Sequence, residues 1–450
     1  MKTKQSFFST VCALAIPVAL QSMLQSAFSI VDQIMIGQLG SVPISAVGFA
    51  GKFFSIFSVI VSAVGAVAGI MISQYLGQKN QAEVRRSFRL NLWLALGIGL
   101  LVTMLCLCFP RDLMKLYTKD EAVQQIAAEY LSIISLTALP MAAATMFSTF
   151  FRCIEKPALP MAATIVSVLL NTVLNYLFIF GSLNIPAMGA KGAAIATTLS
   201  QFFNFLFMLL MFLHYKDILR QPSQAQTHAP FHWLQYAAML LPILICEAAW
   251  SLGENVYAAI YGHMSTEESA AMNLINPIQG LVIGALCGLS QAAGVIVGKR
   301  LGKGAFDDAY LASKKLMIYG AVGSSILSIM VVLVAPYYVN IYQVESVVKD
   351  LTRQILYAYA LVAPFKVLNM ILGGGIIRSG GKIKYVMFID IIGTWCFGVP
   401  LGLLTAFVMD LPIAYVYFFL SLEECVRFGI SIFIFRRRKW MNCLEATPQS

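Results

Sequence analysis

The sequence repeats itself at half its length. A displacement of 225 residues superimposes Pro17 on Pro242, Gly37 on Gly262, Ala68-Gly69 on Ala293-Gly294 and Leu76-Gly77 on Leu301-Gly302. With one residue of slippage, Pro140 meets Pro364, Arg152 meets Arg378 and Lys156 meets Lys382. The run AGIMISQYLG over AGVIVGKRLG is more than the abundance of Gly and Leu supplies by chance. Duplicated hydrophobic chains most often belong to transporters, in which two repeats move about a site between them.

Apolar residues make up 59% of the chain and charged residues 12%, against roughly a quarter charged in a soluble domain. They fall into twelve runs, 8–36, 44–75, 88–109, 122–150, 159–180, 190–214, 232–262, 269–300, 310–334, 346–376, 383–408 and 411–435. A bilayer core needs about 20 apolar residues per helix, and each run reaches that length. The spacing predicts an all-α polytopic membrane protein with twelve transmembrane helices. Six spans per half is an even number, so the halves share one orientation. They are then two six-helix bundles related by a pseudo-two-fold axis along the membrane normal. The predicted organisation is an N-terminal bundle over 1–215, a cytoplasmic linker over 216–231, a C-terminal bundle over 232–436 and a cytoplasmic tail over 437–450. If the bundles rock, the loops around Ser41 and Ser265 separate while those around Gln78 and Lys303 close.

The net charge of +10 does not indicate a nucleic-acid partner. Twenty-two of the Lys and Arg residues lie in alternate loops on one side of the spans, and six lie on the other. That asymmetry is the positive-inside pattern of a plasma-membrane (inner-membrane) protein with both termini cytoplasmic. The first apolar run is architecture rather than a cleaved signal, because its repeat partner begins at Pro242 in mid-chain. The nine cysteines are odd in number, lack a CxxC spacing and read as reduced packing residues. Pro17, Pro242 and Pro364 stand inside predicted spans as candidate kink or gating positions.

The residues resemble the multidrug and toxic compound extrusion (MATE) family over essentially the whole chain. Pro17 through Val31-Asp32-Gln33 to Gly37 looks like the family's first helix. Asn171 and Asn175, followed by Phe178 and Gly181, look like its fifth, and Gly192-Ala193-Ala194-Ile195-Ala196-Thr197 looks like its sixth. The DinF-like branch has an aspartate where Asn175 stands, and the NorM-like branch has one near Asn369, so the chain matches neither branch closely. The resemblance implies export of small organic, often cationic, compounds. It also implies an inward proton or sodium ion as the coupling ion, with no other cofactor, in a protein acting as a monomer in the lipid bilayer.

Charges inside spans are costly and mark ion or substrate pathways. Asp32 is the foremost candidate for ion coupling. Its oxygens can carry a proton, or join Asn171, Asn175 and Thr197 around a sodium ion, a hard cation that takes oxygen ligands. The competing structural reading pairs Asp32 with Lys52. Glu247 and Glu254 lie seven residues apart on one helical face, and with Lys366 and Asn369 form a candidate substrate or second ion site. Their structural alternative is neutralisation of Glu247 by Lys366. Asp390 with Arg427, and Glu423 with Arg427 four residues on, read as structural ion pairs.

No enzyme signature competes with transport. The histidines His214, His228, His232 and His263 lie at span ends or in the linker, and neither HExxH nor a phosphate-binding Gly-rich loop with Lys-Ser/Thr occurs. An ion gradient is therefore the expected energy source. A flippase for lipid-linked oligosaccharides is the main alternative. It would favour a basic cavity, whereas Lys52, Lys366 and Arg427 stand in the spans against Asp32, Glu247, Glu254, Asp390, Glu423 and Glu424. A membrane-embedded prenyl transferase is a remote second, with Asp307-Asp308 its nearest candidate for a magnesium-binding pair.

Overall fold

The computed structural model describes residues 7–181, 186–215, 233–342 and 344–444. The 216–231 linker and the tail beyond Leu444 lie outside the described residues. Among these residues every regular element is helical. The first half holds α1 (Phe7–Gly37), α2 (Ser41–Gly77), α3 (Gln81–Cys108), the short α4 (Pro110–Lys115), α5 (Glu121–Ser135), α6 (Ala138–Cys153), α7 (Ala158–Phe180) and α8 (Gly189–Tyr215). The second half holds α9 (Trp233–Met264), α10 (Thr266–Gly302), α11 (Phe306–Tyr338), α12 (Ser346–Asn369), α13 (Lys384–Ile391), α14 (Val399–Leu403), α15 (Ile413–Ser421) and α16 (Glu423–Arg436).

Among the described residues, ten helical segments are individually long and apolar enough to cross a membrane, and α5 with α6, bent by 47°, makes an eleventh. The twelfth expected run, 411–435, breaks between α15 and α16 at Leu422, next to Glu423 and Glu424. Three helices start on side-chain caps. Asn80 Oδ1 accepts from the Glu83 amide at 3.2 Å to start α3, Asp120 caps α5, and Ser265 Oγ accepts from the Glu268 amide at 3.1 Å to start α10. Each side chain takes up one of the donors left open in a first turn.

Pro17, Pro242 and Pro364 lie within α1, α9 and α12. Each lacks the donor that would reach the carbonyl four residues earlier. The Gly373-Gly374-Gly375 run, read from the sequence as a place of bending, is a π-helical stretch, Met370–Ile377, that continues α12. Two further π-helical stretches, Ile392–Gly398 and Leu404–Val408, flank α14. Such widened turns recur at functional sites, and the first two lie beside Asn369 and Asp390.

The chain divides into two compact units, Leu20–Ala229 on one hand and Met1–Ala19 with Pro230–Ser450 on the other. α1 is therefore shared, and the division falls two residues past Pro17. The first unit has a cluster of stacked rings, Phe88, Phe147 and Phe212, with Phe147 and Phe212 centroids 4.8 Å apart and Phe150 edge-on to Phe212. Its part of α1 is tied to α7, where Gln21 Nε2 donates to Thr164 Oγ1 at 2.8 Å. In the second unit, Val11 and Leu14 of α1 enter a core with Leu289, Ala292, Leu372 and Ile376. Surfaces left open on the helices are apolar, as at Leu101, Ile329 and Leu333, which suits a lipid solvent.

Candidate functional site

The first unit brings together the whole predicted coupling set. Asn171 and Asn175 stand one turn apart on α7, hence on one face. Asn175 Nδ2 donates to Asp32 Oδ1 at 2.5 Å and to Asn171 Oδ1 at 3.1 Å. Asn171 Nδ2 donates to Thr197 Oγ1 of α8 at 3.3 Å. Small residues make this possible. A Cβ on Gly192 would stand 2.4 Å from the Phe178 carbonyl oxygen, so only glycine lets α8 close onto α7 here. Lys52 is exposed on α2, and the sequence-based alternative of a Lys52 partner gives way to amides. Sequence reasoning missed Tyr130 of α5, which is buried and within electrostatic reach of Asp32.

Oxygen and nitrogen of an amide are told apart by their partners. With its nitrogen end turned toward Asp32, the Asn171 amide lies 3.0 and 3.2 Å from the two carboxylate oxygens and donates to them. Asn175 Oδ1 is buried with no hydrogen-bond partner among the described residues. The oxygens of Asp32, Asn171, Asn175 and Thr197 are the hard donor set that sodium takes.

The second unit holds a larger charged cluster, which the sequence reading had divided into separate pairs. Two cavities of about 280 and 260 Å³ lie within it, and Lys366 and Glu424 line both. Glu254, Tyr257, Gln279, Tyr417 and Glu423 line the first. Asn369, Arg378, Asp390 and Arg427 line the second. Tyr257 OH donates to Glu423 Oε2 at 2.6 Å. Asn369 Nδ2 donates to both the Glu424 carbonyl (2.7 Å) and Glu424 Oε2 (2.8 Å). The break between α15 and α16 presents these two glutamates, since it leaves them in a helical first turn.

Arg427 is the hub. Its Nη2 lies 3.5 Å from Asp390 Oδ1 and donates to Thr394 Oγ1 at 2.9 Å, while Nη1 lies 3.7 Å from Glu424 Oε1. The Asp390–Arg427 pair is as expected. The close contact expected from Glu423 to Arg427 is made by Glu424 instead, while Glu423 bonds to Tyr257 and stays within electrostatic reach of Arg427. Glu247 is the other correction. Its partner is Arg378, at 3.8 Å, and it lines neither cavity. Lys366 takes its strongest charge interaction from Glu424, followed by Glu254. Of the four residues proposed for this site, Glu254, Lys366 and Asn369 line cavities and Glu247 does not. Glu424, counted among the span acids in the sequence but given no site there, lines both cavities.

Comparison with known proteins places the family and the fold. The MatE family matches twice, over residues 17–177 and 242–404, and both matches begin at the prolines of the internal repeat. A probable multidrug resistance protein NorM of Agrobacterium fabrum is 24% identical over 422 residues, covering 91% of this chain and 88% of its own length. Multidrug and toxin extrusion protein 2 of Mus musculus is 27% identical, over 96% of this chain and 75% of that protein. A multidrug resistance MATE family transporter of the MOP superfamily, solved in an outward-facing conformation, superposes with a TM-score of 0.87 at 18% identity, over 96% of this chain and 95% of that one. The fold is thus the all-α, two-lobed fold of MATE transporters. On the twofold match across most of its length, this chain belongs to the MatE family.

Proposed function

We propose that the protein exports small organic, chiefly cationic, compounds and that inward movement of a proton or a sodium ion at Asp32 drives the export. The observation that carries this reading is the setting of Asp32, a span carboxylate bonded to the neutral amide of Asn175 with the amide of Asn171 beside it. A carboxylate already paired with a fixed cation would have little reason to take up an ion. This one is bonded to neutral side chains, so an arriving ion meets no fixed cation there. A ligand shifts an equilibrium only by its differential affinity for two states, and an ion held at Asp32 favours the state that holds it better.

The cationic character of the substrates is supported by the first cavity of the second unit, where Glu254, Glu423 and Glu424 stand against Lys366 alone. The same lining disfavours a polyanionic lipid-linked oligosaccharide. The charge asymmetry of the loops supports a plasma-membrane location with both termini cytoplasmic, and the protein is read as working as a monomer.

Uptake of a fluorescent lipophilic cation into proteoliposomes, with pH and sodium gradients imposed separately, tests the proposal. One gradient should drive accumulation and the other should not. Asp32→Asn should abolish the driven component while the protein remains folded, and Asn171→Ala, Asn175→Ala and Thr197→Ala should each give smaller losses. Wild-type rates in Asp32→Asn under both gradients would remove Asp32 from the mechanism.

A further inference from the structure

We propose that the first turns of α3 hold the head group of an anionic phospholipid. Arg85, Arg86 and Arg89, with Ala82 and Leu90, line a surface concavity of about 390 Å³. Arg86 is partly neutralised by Glu83, at 3.5 Å. Among the described residues Arg85 and Arg89 have no ion-pair partner, so the concavity carries a surplus of positive charge. A zwitterionic head group would bring its own cation into that surplus, whereas an anionic one brings only the phosphate.

The position along the helix fits a lipid. A hydrocarbon core takes about 20 helical residues. Counted back from Cys108, the end of α3, that length places the polar boundary near Arg89. Trp93 stands one turn deeper, about 6 Å along the axis, and is 70% exposed. A tryptophan at this level anchors at the membrane interface. Leu100, Leu101 and Met104 continue the open face beyond it. The helix thus presents, in order, guanidinium groups, an indole and an apolar track. These match the phosphate, the glycerol region and an acyl chain of one lipid. Clusters of arginine at the end of a span recognise anionic lipid in this way, and guanidinium is the group best matched to phosphate oxygens.

The test uses the full-length protein in nanodiscs and the fluorescence of Trp93, one of five tryptophans, isolated by subtraction of the Trp93→Phe protein. Phosphatidylglycerol with brominated acyl chains should quench this component at least about twofold more than brominated phosphatidylcholine at the same mole fraction. Millimolar inorganic phosphate should leave the preference unchanged, which distinguishes a lipid from a free anion. Arg85→Gln with Arg89→Gln should equalise the two lipids. Equal quenching in the unsubstituted protein overturns the proposal without any arginine variant. So does a preference that survives the double substitution or that phosphate competes away.

Discussion

Replacement of Arg427 by methionine tests whether the charged cluster of the second unit is one electrostatic body. Arg427 is 8% exposed, and its guanidinium serves Asp390, Glu424 and Thr394 at 3.5, 3.7 and 2.9 Å. Methionine fills much of the same volume, which matters because Gly393 packs directly on the Arg427 stem. The loss is therefore electrostatic rather than a cavity. Removing one partner of a buried ion pair costs about 3–5 kcal/mol. Asp390 and Glu424 keep Arg378 and Lys366 as secondary charge partners, so the lower end, about 3 kcal/mol, is expected. A domain of this size loses about 2–4 °C of melting temperature per kcal/mol, which gives a fall of about 6–12 °C. Arg427→Lys keeps the charge but cannot span all three acceptors. It should lose about 1–1.5 kcal/mol, the worth of one hydrogen bond. Asp390→Asn added to Arg427→Met removes one orphaned charge and should restore part of the loss. Thermal unfolding of the detergent-solubilised protein, followed by intrinsic fluorescence, measures all three. An Arg427→Met protein that melts within about 2 °C of the parent, or an Asp390→Asn change that deepens the loss, refutes the reasoning.

Two further expectations concern packing and pairing. A double-mutant cycle on stability for Lys366→Met with Glu424→Gln should give a coupling of about 0.5–3 kcal/mol, and the same cycle for Lys366→Met with Glu247→Gln should give none. The reverse order would restore the pair that the sequence suggested. A Cβ on Gly288 would stand 2.0 Å from the Ala15 carbonyl oxygen, so Gly288→Ala must push the first turns of α1 away from α10. Overpacking of this kind costs about 1–3 kcal/mol, and because α1 continues to Asp32 the variant should also lower gradient-driven transport. Unchanged melting and transport would show that the α1–α10 contact is dispensable.

The sequence placed most spans within a few residues, as the run 159–180 became α7 (Ala158–Phe180) and 346–376 became α12 with its π-helical extension to Ile377, although α3 starts seven residues before the run 88–109 and the run 411–435 breaks at Leu422. The reason is that a backbone in lipid must bond internally, so length and apolarity alone decide where a helix lies. Asp32 stood out in the sequence too, because a charge amid a long apolar run is costly. Its neighbours Asn171, Asn175 and Thr197 came with the resemblance, and the structure joins all four. Sequence left open which charges meet. Glu247 took Arg378 and not Lys366, Glu424 took Arg427 where Glu423 was expected, and α1 was shared between two units at Ala19. Those outcomes depend on how each helix is rotated about its axis. In water an amphipathic period reveals that rotation, because the buried face is apolar and the open face is not. In a bilayer both faces are apolar, the period vanishes, and only close packing at positions such as Gly192, Gly288 and Gly393 fixes which side of a helix looks inward.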